Sequence, residues 1–102
     1  MSPLPWPVGQ KVVCVNDRFH AQVHEFFDVI PQEGKVYTVR ELFWGVEHET
    51  DKLVLSVRLT ELAPLSGDHE PGFSLWRFRL LEDVKREAAA AARRILGRYT
   101  EE

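Results

Sequence analysis

His20, His24 and Asp28 follow one another at intervals of four residues, with Glu25 beside them. On a helix this spacing lines up the three side chains along one face. Two imidazoles one turn apart begin a divalent-metal site, but zinc needs a third ligand and a supporting shell, and the HExxH spacing is absent. The same segment carries Phe19, Val23, Phe26, Phe27 and Ile30 at i, i+4, i+7, i+8 and i+11, a stripe suited to a core. The histidines then form the wet side of that helix. Neither a metal nor any other cofactor is expected.

Acid–base chemistry has two further places to arise. His48, Glu49 and Asp51 share one polar stretch, and Asp68, His69 and Glu70 share another. Imidazoles and carboxylates converging from two loops can move protons. Neither stretch stands near a serine or cysteine nucleophile motif or a glycine-rich phosphate loop, so an enzyme is not expected. Cys14 is the only cysteine and lies in a β-branched run, where a thiol is buried and inert.

Binding chemistry is better represented. Tyr37, Arg40, Trp44, Arg58, Trp76, Arg77 and Arg79 mix aromatic faces with guanidinium groups, the pairing that stacks bases and reaches phosphates. Alternation along a strand sends Tyr37 and Arg40 to opposite faces, as it does Trp76 and Arg77, and so separates a core set from a solvent set. A narrower basic patch remains, made of Arg77 and Arg79 with Arg86, Arg93 and Arg94. The charge distribution favours it: residues 77–98 hold seven basic and three acidic side chains, while residues 1–76 hold six basic and eleven acidic ones. Trp44 closes a strand, and an exposed indole there would mark a contact site.

The elements that must position these groups are legible in outline. Lys11 to Val15 predicts a buried strand and Lys35 to Trp44 a long one. Leu53, Leu55, Val57 and Leu59 alternate with polar residues, predicting a half-buried strand over 53–62. Phe73 to Leu81 predicts a further strand, with Trp76, Phe78 and Leu80 inward and Arg77 and Arg79 outward. Residues 18–30 predict a helical insertion between the first two strands. A basic C-terminal helix is predicted over 82–96, capped by Gly97, with Val84, Ala88, Ala91, Ala92 and Ile95 as a narrow stripe that would dock on a sheet or pair with a second copy. Pro3, Pro5 and Pro7 keep residues 1–8 extended, with Trp6 pinning this arm to a β-rich body over 9–81. The whole is one domain of mainly β, α+β class: a small SH3-like barrel or a twisted antiparallel sheet.

Gly9-x-x-Val12-Val13-Cys14-Val15-Asn16-Asp17, Pro31-x-x-Gly34-x-x-Tyr37-Thr38-Val39-Arg40-Glu41 and Gly72-Phe73-x-x-Trp76-Arg77-Phe78-Arg79-Leu80 together resemble a group of small uncharacterised proteins of bacterial genomes and phages. The resemblance spans roughly residues 9–81 and implies an SH3-like barrel in a phage-linked cytoplasmic accessory protein. Asn16 stands where that group often has aspartate. Leu80-Leu81 stands where a proline often follows the final arginine.

At 102 residues, 44% hydrophobic and 28% charged, with a net charge of −3, the chain has the composition of one globular domain and not of a general nucleic-acid coat. A single cysteine fits a reducing compartment, and neither a signal peptide nor a membrane-length apolar run is read in the sequence. The expectation is a cytoplasmic, non-enzymatic module that binds a protein partner. A nucleic acid bound through the basic helix with Arg77 and Arg79 is the alternative, and a homodimer through that helix is a further possibility.

Overall fold

β-branched and aromatic residues in alternation produce the strands found in the computed structural model, which describes residues 4–47, 50–65 and 70–100, the last three of these as backbone alone. The elements are β1 (Lys11–Cys14), a 3₁₀ turn (Ala21–Glu25), β2 (Val36–Val46), β3 (Leu53–Leu59), β4 (Phe73–Ser74), a second 3₁₀ turn (Leu75–Arg77), β5 (Phe78–Leu80) and α1 (Leu81–Thr100). All ladders are antiparallel, and the sheet order is β4-β3-β2-β1-β5.

β2 organises the sheet because it serves two sets of partners. Its first residues pair with β1, Tyr37 opposite Val12, and its later ones pair with β3, from Val39 opposite Leu59 to Val46 opposite Leu53. The register shifts between Val39 and Glu41. A bulge of this kind bends the strand and increases its twist, which lets one strand belong to both halves. The core gathers inside that bend: Val12, Cys14, Val39, Val57 and Leu59 are wholly buried, with Phe27, Tyr37, Leu42, Phe73 and Phe78 around them. Each such side chain contributes about 1.5–3 kcal/mol relative to an exposed one.

The sheet does not close: of the two expected architectures, the antiparallel sheet is formed and the barrel is not. β4 and β5 are the two edges and share no ladder; two residues, a 3₁₀ turn and three residues leave too little strand to make one. The predicted strand over 73–81 is those three pieces. β5 is the fifth strand that the sequence pattern concealed.

The helix expected over 18–30 is likewise replaced by the single 3₁₀ turn. Asn16 Oδ1 accepts the Arg18 N–H at 2.9 Å, and the His20 ring nitrogen Nδ1 accepts the Gln22 N–H at 3.3 Å, fixing a short turn. The Phe26 carbonyl accepts the N–H of Leu65 at 2.7 Å, a bond that a continuing α-helix would have made to its own backbone. The apolar stripe still reaches the core: Phe27 is 1% exposed, and Phe19, Val23, Phe26 and Ile30 pack against the buried cluster, as does Trp6 from the N-terminal arm.

Turn chemistry follows from local demands. Gly34 has φ +89°, a left-handed conformation that glycine adopts without strain, and its N–H donates to the Cys14 carbonyl at 2.8 Å. Cys14 is wholly buried, and loss of hydration pushes its thiol pKa up, outweighing a backbone interaction at Asn16 that pulls it down. α1 begins with Glu82 and Asp83 in its first turn, as the macrodipole favours, and runs through Gly97 to Thr100 without the expected cap. None of the helices among the described residues is long and apolar enough to cross a membrane.

Glu61 fastens the bend of β2. Partial burial pushes its carboxyl pKa up, but hydrogen bonds from the Thr38 hydroxyl at 2.6 Å and the Thr38 N–H at 2.8 Å outweigh that and hold it below its ordinary value. A carboxyl whose folded pKa is depressed adds stability above its unfolded pKa, and this is lost as pH falls through the folded value. Denaturant melts of the native chain should lose stability as pH drops below about 4.3, the ordinary glutamate value, and Glu61→Gln should flatten that part of the profile. An unchanged profile in the variant would show that Glu61 does not couple folding to pH.

Candidate functional site

The side chains on the convex and concave sides of the sheet do not divide as strict alternation required, and Arg77 shows why. Within the second 3₁₀ turn the two-residue period breaks, so Trp76 is 53% exposed and Arg77 only 8%. The expected inward tryptophan and outward arginine have exchanged places. Arg77 Nη1 donates to Asn16 Oδ1 at 3.0 Å, to the Arg18 carbonyl at 3.1 Å and to the Asn16 carbonyl at 3.5 Å. Its guanidinium carbon lies 4.2 Å from the centre of the Phe19 ring and 4.5 Å from that of Trp76. With 8% of its surface exposed, this arginine is held mainly by the fold, and it also lines the cleft beside the first 3₁₀ turn.

The other sequence candidates scatter. Arg79 grips Glu87 through two hydrogen bonds of 2.7 and 2.5 Å, which raise the arginine pKa and lower that of the carboxyl. Arg86 pairs with Asp83 one turn back. Arg93 and Arg94 are exposed on α1, with no ion pair among the described residues. Arg40 pairs with Glu70, while Arg58 pairs with Glu41, donates to the Glu70 carbonyl at 2.7 and 3.1 Å and stacks over Phe43. Tyr37 is buried, its hydroxyl accepting the Gln32 N–H at 2.8 Å.

His20, His24 and Asp28 are exposed but no longer share a helical face, since the 3₁₀ turn ends at Glu25. Among the described residues no group of three His, Cys, Asp or Glu side chains is placed to hold a metal. His48, Glu49, Asp68 and His69 lie outside the described residues. Of their expected companions, Asp51 is exposed in the β2–β3 loop and Glu70 is bound to Arg40.

What the fold does assemble is a cleft of about 100 Å³ between the first 3₁₀ turn and the β2–β3–β4 end of the sheet. Phe19, Val23, Phe26, Phe27 and Phe73 form its apolar walls, with Phe73 centred 4.8 Å from Phe27 and 5.5 Å from Phe19. Glu47 lies at its polar side, where its carboxylate accepts the Ser74 hydroxyl at 3.2 Å and the Trp76 indole N–H at 3.4 Å. A second hollow of about 300 Å³, lined by Phe43, Arg58 and Glu70, adjoins it, and the two share Val46, Ser56, Pro71 and Gly72. Sites that enclose a small molecule usually offer about 300–1,000 Å³, so this cleft suits an inserted side chain better than a cofactor.

Val46, which lines the cleft, also belongs to an exposed apolar face of the β2–β3 hairpin. Opposed residues of an antiparallel pair share a face, and Leu42–Val57, Trp44–Leu55 and Val46–Leu53 are successive pairs on one. The first pair is in the core. Trp44 is 60% exposed, Val46 60% and Leu53 65%, so the core face runs out past the end of its cover. Trp44 is thus exposed near the end of β2, the condition on which the sequence made it a contact site, while Glu47, Phe19, Phe26 and Phe73 are members of the site that it concealed. The pattern around Phe19 and Phe26 announced only burial, and Glu47 read as one more loop charge.

No family model matches this chain, and no curated protein or solved structure shows significant similarity to it.

Two substitutions test how the cleft is built. Arg77→Ala should lower unfolding free energy by about 2 kcal/mol or more, because it strips hydrogen bonds from two carbonyls and one side-chain oxygen, and Arg77→Lys should not restore it, having no planar group to lie between the rings. Gly72→Ala would place a Cβ 2.6 Å from the Phe43 ring and 3.1 Å from the Val57 carbonyl, a clash expected to cost about 1–3 kcal/mol. Urea midpoints of the variants check both; a full-strength Arg77→Lys would remove the stacking account.

Proposed function

We propose that the protein is a non-enzymatic interaction module whose cleft receives an extended segment of a protein partner. The observation that carries this reading is the aromatic-walled cleft itself, opening on a five-stranded sheet, with Val46 of the uncovered β2–β3 hairpin face at its margin. About 25 cal/mol is gained per Å² of apolar surface buried, so Trp44, Val46 and Leu53 hold binding energy that folding leaves unused. Groove recognition of extended peptides uses such pockets for individual side chains. The partner's chemistry follows from charge. Glu47 lines the cleft, Arg77 beside it is only 8% exposed and already hydrogen-bonded to Asn16 and Arg18, and residues 1–76 carry an excess of acids, so the segment should carry an apolar side chain beside a lysine or arginine.

Two finer expectations accompany this proposal. The strand order, with a bent β2 shared between β1 and β3, supports an open relative of the SH3-like arrangement. The resemblance to small phage-borne proteins fits an accessory role in the cytoplasm that works by binding a host or phage component. The nucleic-acid alternative has lost Arg77 to the interior, and Arg79 and Arg86 to ion pairs.

Selection of a random peptide display library on the full-length protein tests the proposal. Enriched peptides should combine an apolar residue with a basic one, their binding should shift amide signals of Phe19, Phe26 and Glu47, and Glu47→Lys should abolish the basic preference. An empty selection, accompanied by micromolar binding of labelled single- or double-stranded DNA that falls steeply with salt, would overturn it in favour of nucleic acid.

A further inference from the structure

α1 has little of its own chain to lie on. It touches the body at β1 and β5, and beyond Val84 every residue whose side chain is described is exposed apart from Ala90 and Ala91. Twenty residues of helix extend about 30 Å, and the chain measures 63 × 35 × 25 Å with a radius of gyration of 16.7 Å, against roughly 13 Å for a compact chain of about this length. The basic helix therefore does not fold back on the acidic body. Most helical stability in proteins comes from packing of an amphipathic face rather than from propensity, and this helix also contains Gly97, which costs about 1 kcal/mol relative to alanine.

The spacing of its apolar residues specifies what covers it. Leu81, Val84, Ala88, Ala91 and Ile95 recur at alternating intervals of three and four, the a and d positions of a heptad seam. Small residues occupy the middle of the seam and larger ones its ends, so two such helices can approach closely at the centre. Ile95 is 54% exposed. Charge then selects the direction. The first half of α1 holds Glu82, Asp83 and Glu87 beside Lys85 and Arg86, and the second half holds Arg93, Arg94 and Arg98 with no acid before the terminal pair. Parallel pairing would set Arg93 and Arg94 against their own copies; antiparallel pairing sets them against the acidic half.

We propose that α1 pairs with α1 of a second copy of this chain, antiparallel and two-fold symmetric. Ala88 faces Ala91 of the second copy, and Val84 faces its Ile95. In that register Glu87, flanking the seam, neighbours Arg94 of the second copy twice, once on each side of the axis. The Glu87 carboxylate, already bound to Arg79, has lone pairs left for this second guanidinium. The pairing uses a surface separate from the peptide cleft and does not depend on that reading.

Size-exclusion chromatography with light scattering on the full-length protein, from low micromolar to submillimolar concentration, supplies the test. The mass should rise from 11.8 kDa toward twice that value, and Ile95→Glu should hold it at the monomer value while circular dichroism shows the body folded. Glu87→Arg and Arg94→Glu should each weaken dimerisation about tenfold by turning two attractions into repulsions, and an equimolar mixture of these two variants should recover it. A native chain that stays monomeric throughout overturns the proposal, as does a dimer indifferent to Ile95→Glu. Failure of the mixture to recover overturns the antiparallel register.

Discussion

Arg77 is held where three stretches of chain meet: the exit of β1 at Asn16, the approach to the first 3₁₀ turn at Arg18 and Phe19, and the second 3₁₀ turn itself. Burying a guanidinium is tolerable only when its donors are satisfied and its faces covered. Here Asn16 and the Arg18 carbonyl accept from it, and Phe19 and Trp76 cover its faces. The backbone beside it is engaged as well, since the Val15 N–H donates to the Arg77 carbonyl at 2.7 Å. That single side chain fixes the separation between the 3₁₀ turn and the sheet, and hence the width of the cleft.

The open sheet and the cleft have a common origin in β2. A strand that bends at Val39–Glu41 can join β1 on one side and β3 on the other, but its far end then projects beyond the segment that covers the core. Trp44 and Val46 lie on that projecting end. The exposed hairpin face is thus a consequence of the geometry that makes the core, and the first 3₁₀ turn borders it because Phe27 must reach the same interior.

How much of this was legible depends on whether a local period reported a local conformation. β1, β2 and β3 were readable because β-branched residues and period-two alternation persist for several residues, and α1 because an alanine run follows acids. The segment from Phe19 to Ile30 was readable as to its destination alone: its spacing fits a helix, yet a 3₁₀ turn and a bend deliver the same side chains to the core. Trp76 and Arg77 were misassigned because both lie within one turn of 3₁₀ structure, where the two-residue period does not hold; beyond it Phe78 is buried and Arg79 exposed, as alternation predicted. Trp44 is exposed near the end of β2, where an indole is conspicuous enough to raise the question, whereas Glu47 acquired meaning only when Ser74 and Trp76 arrived from across the sheet. Long-range convergence of this kind leaves no spacing to read.

Cys14 gives the fold an internal reporter. The only thiol of the chain sits on the central side of β1, wholly buried and with its ionisation suppressed by its surroundings. In redox terms the folded surface is silent: covalent linkage between copies and oxidation at sulfur both wait on separation of β1 from its neighbours. The rate at which that thiol meets a reagent is therefore a measure of how often the middle of the sheet opens.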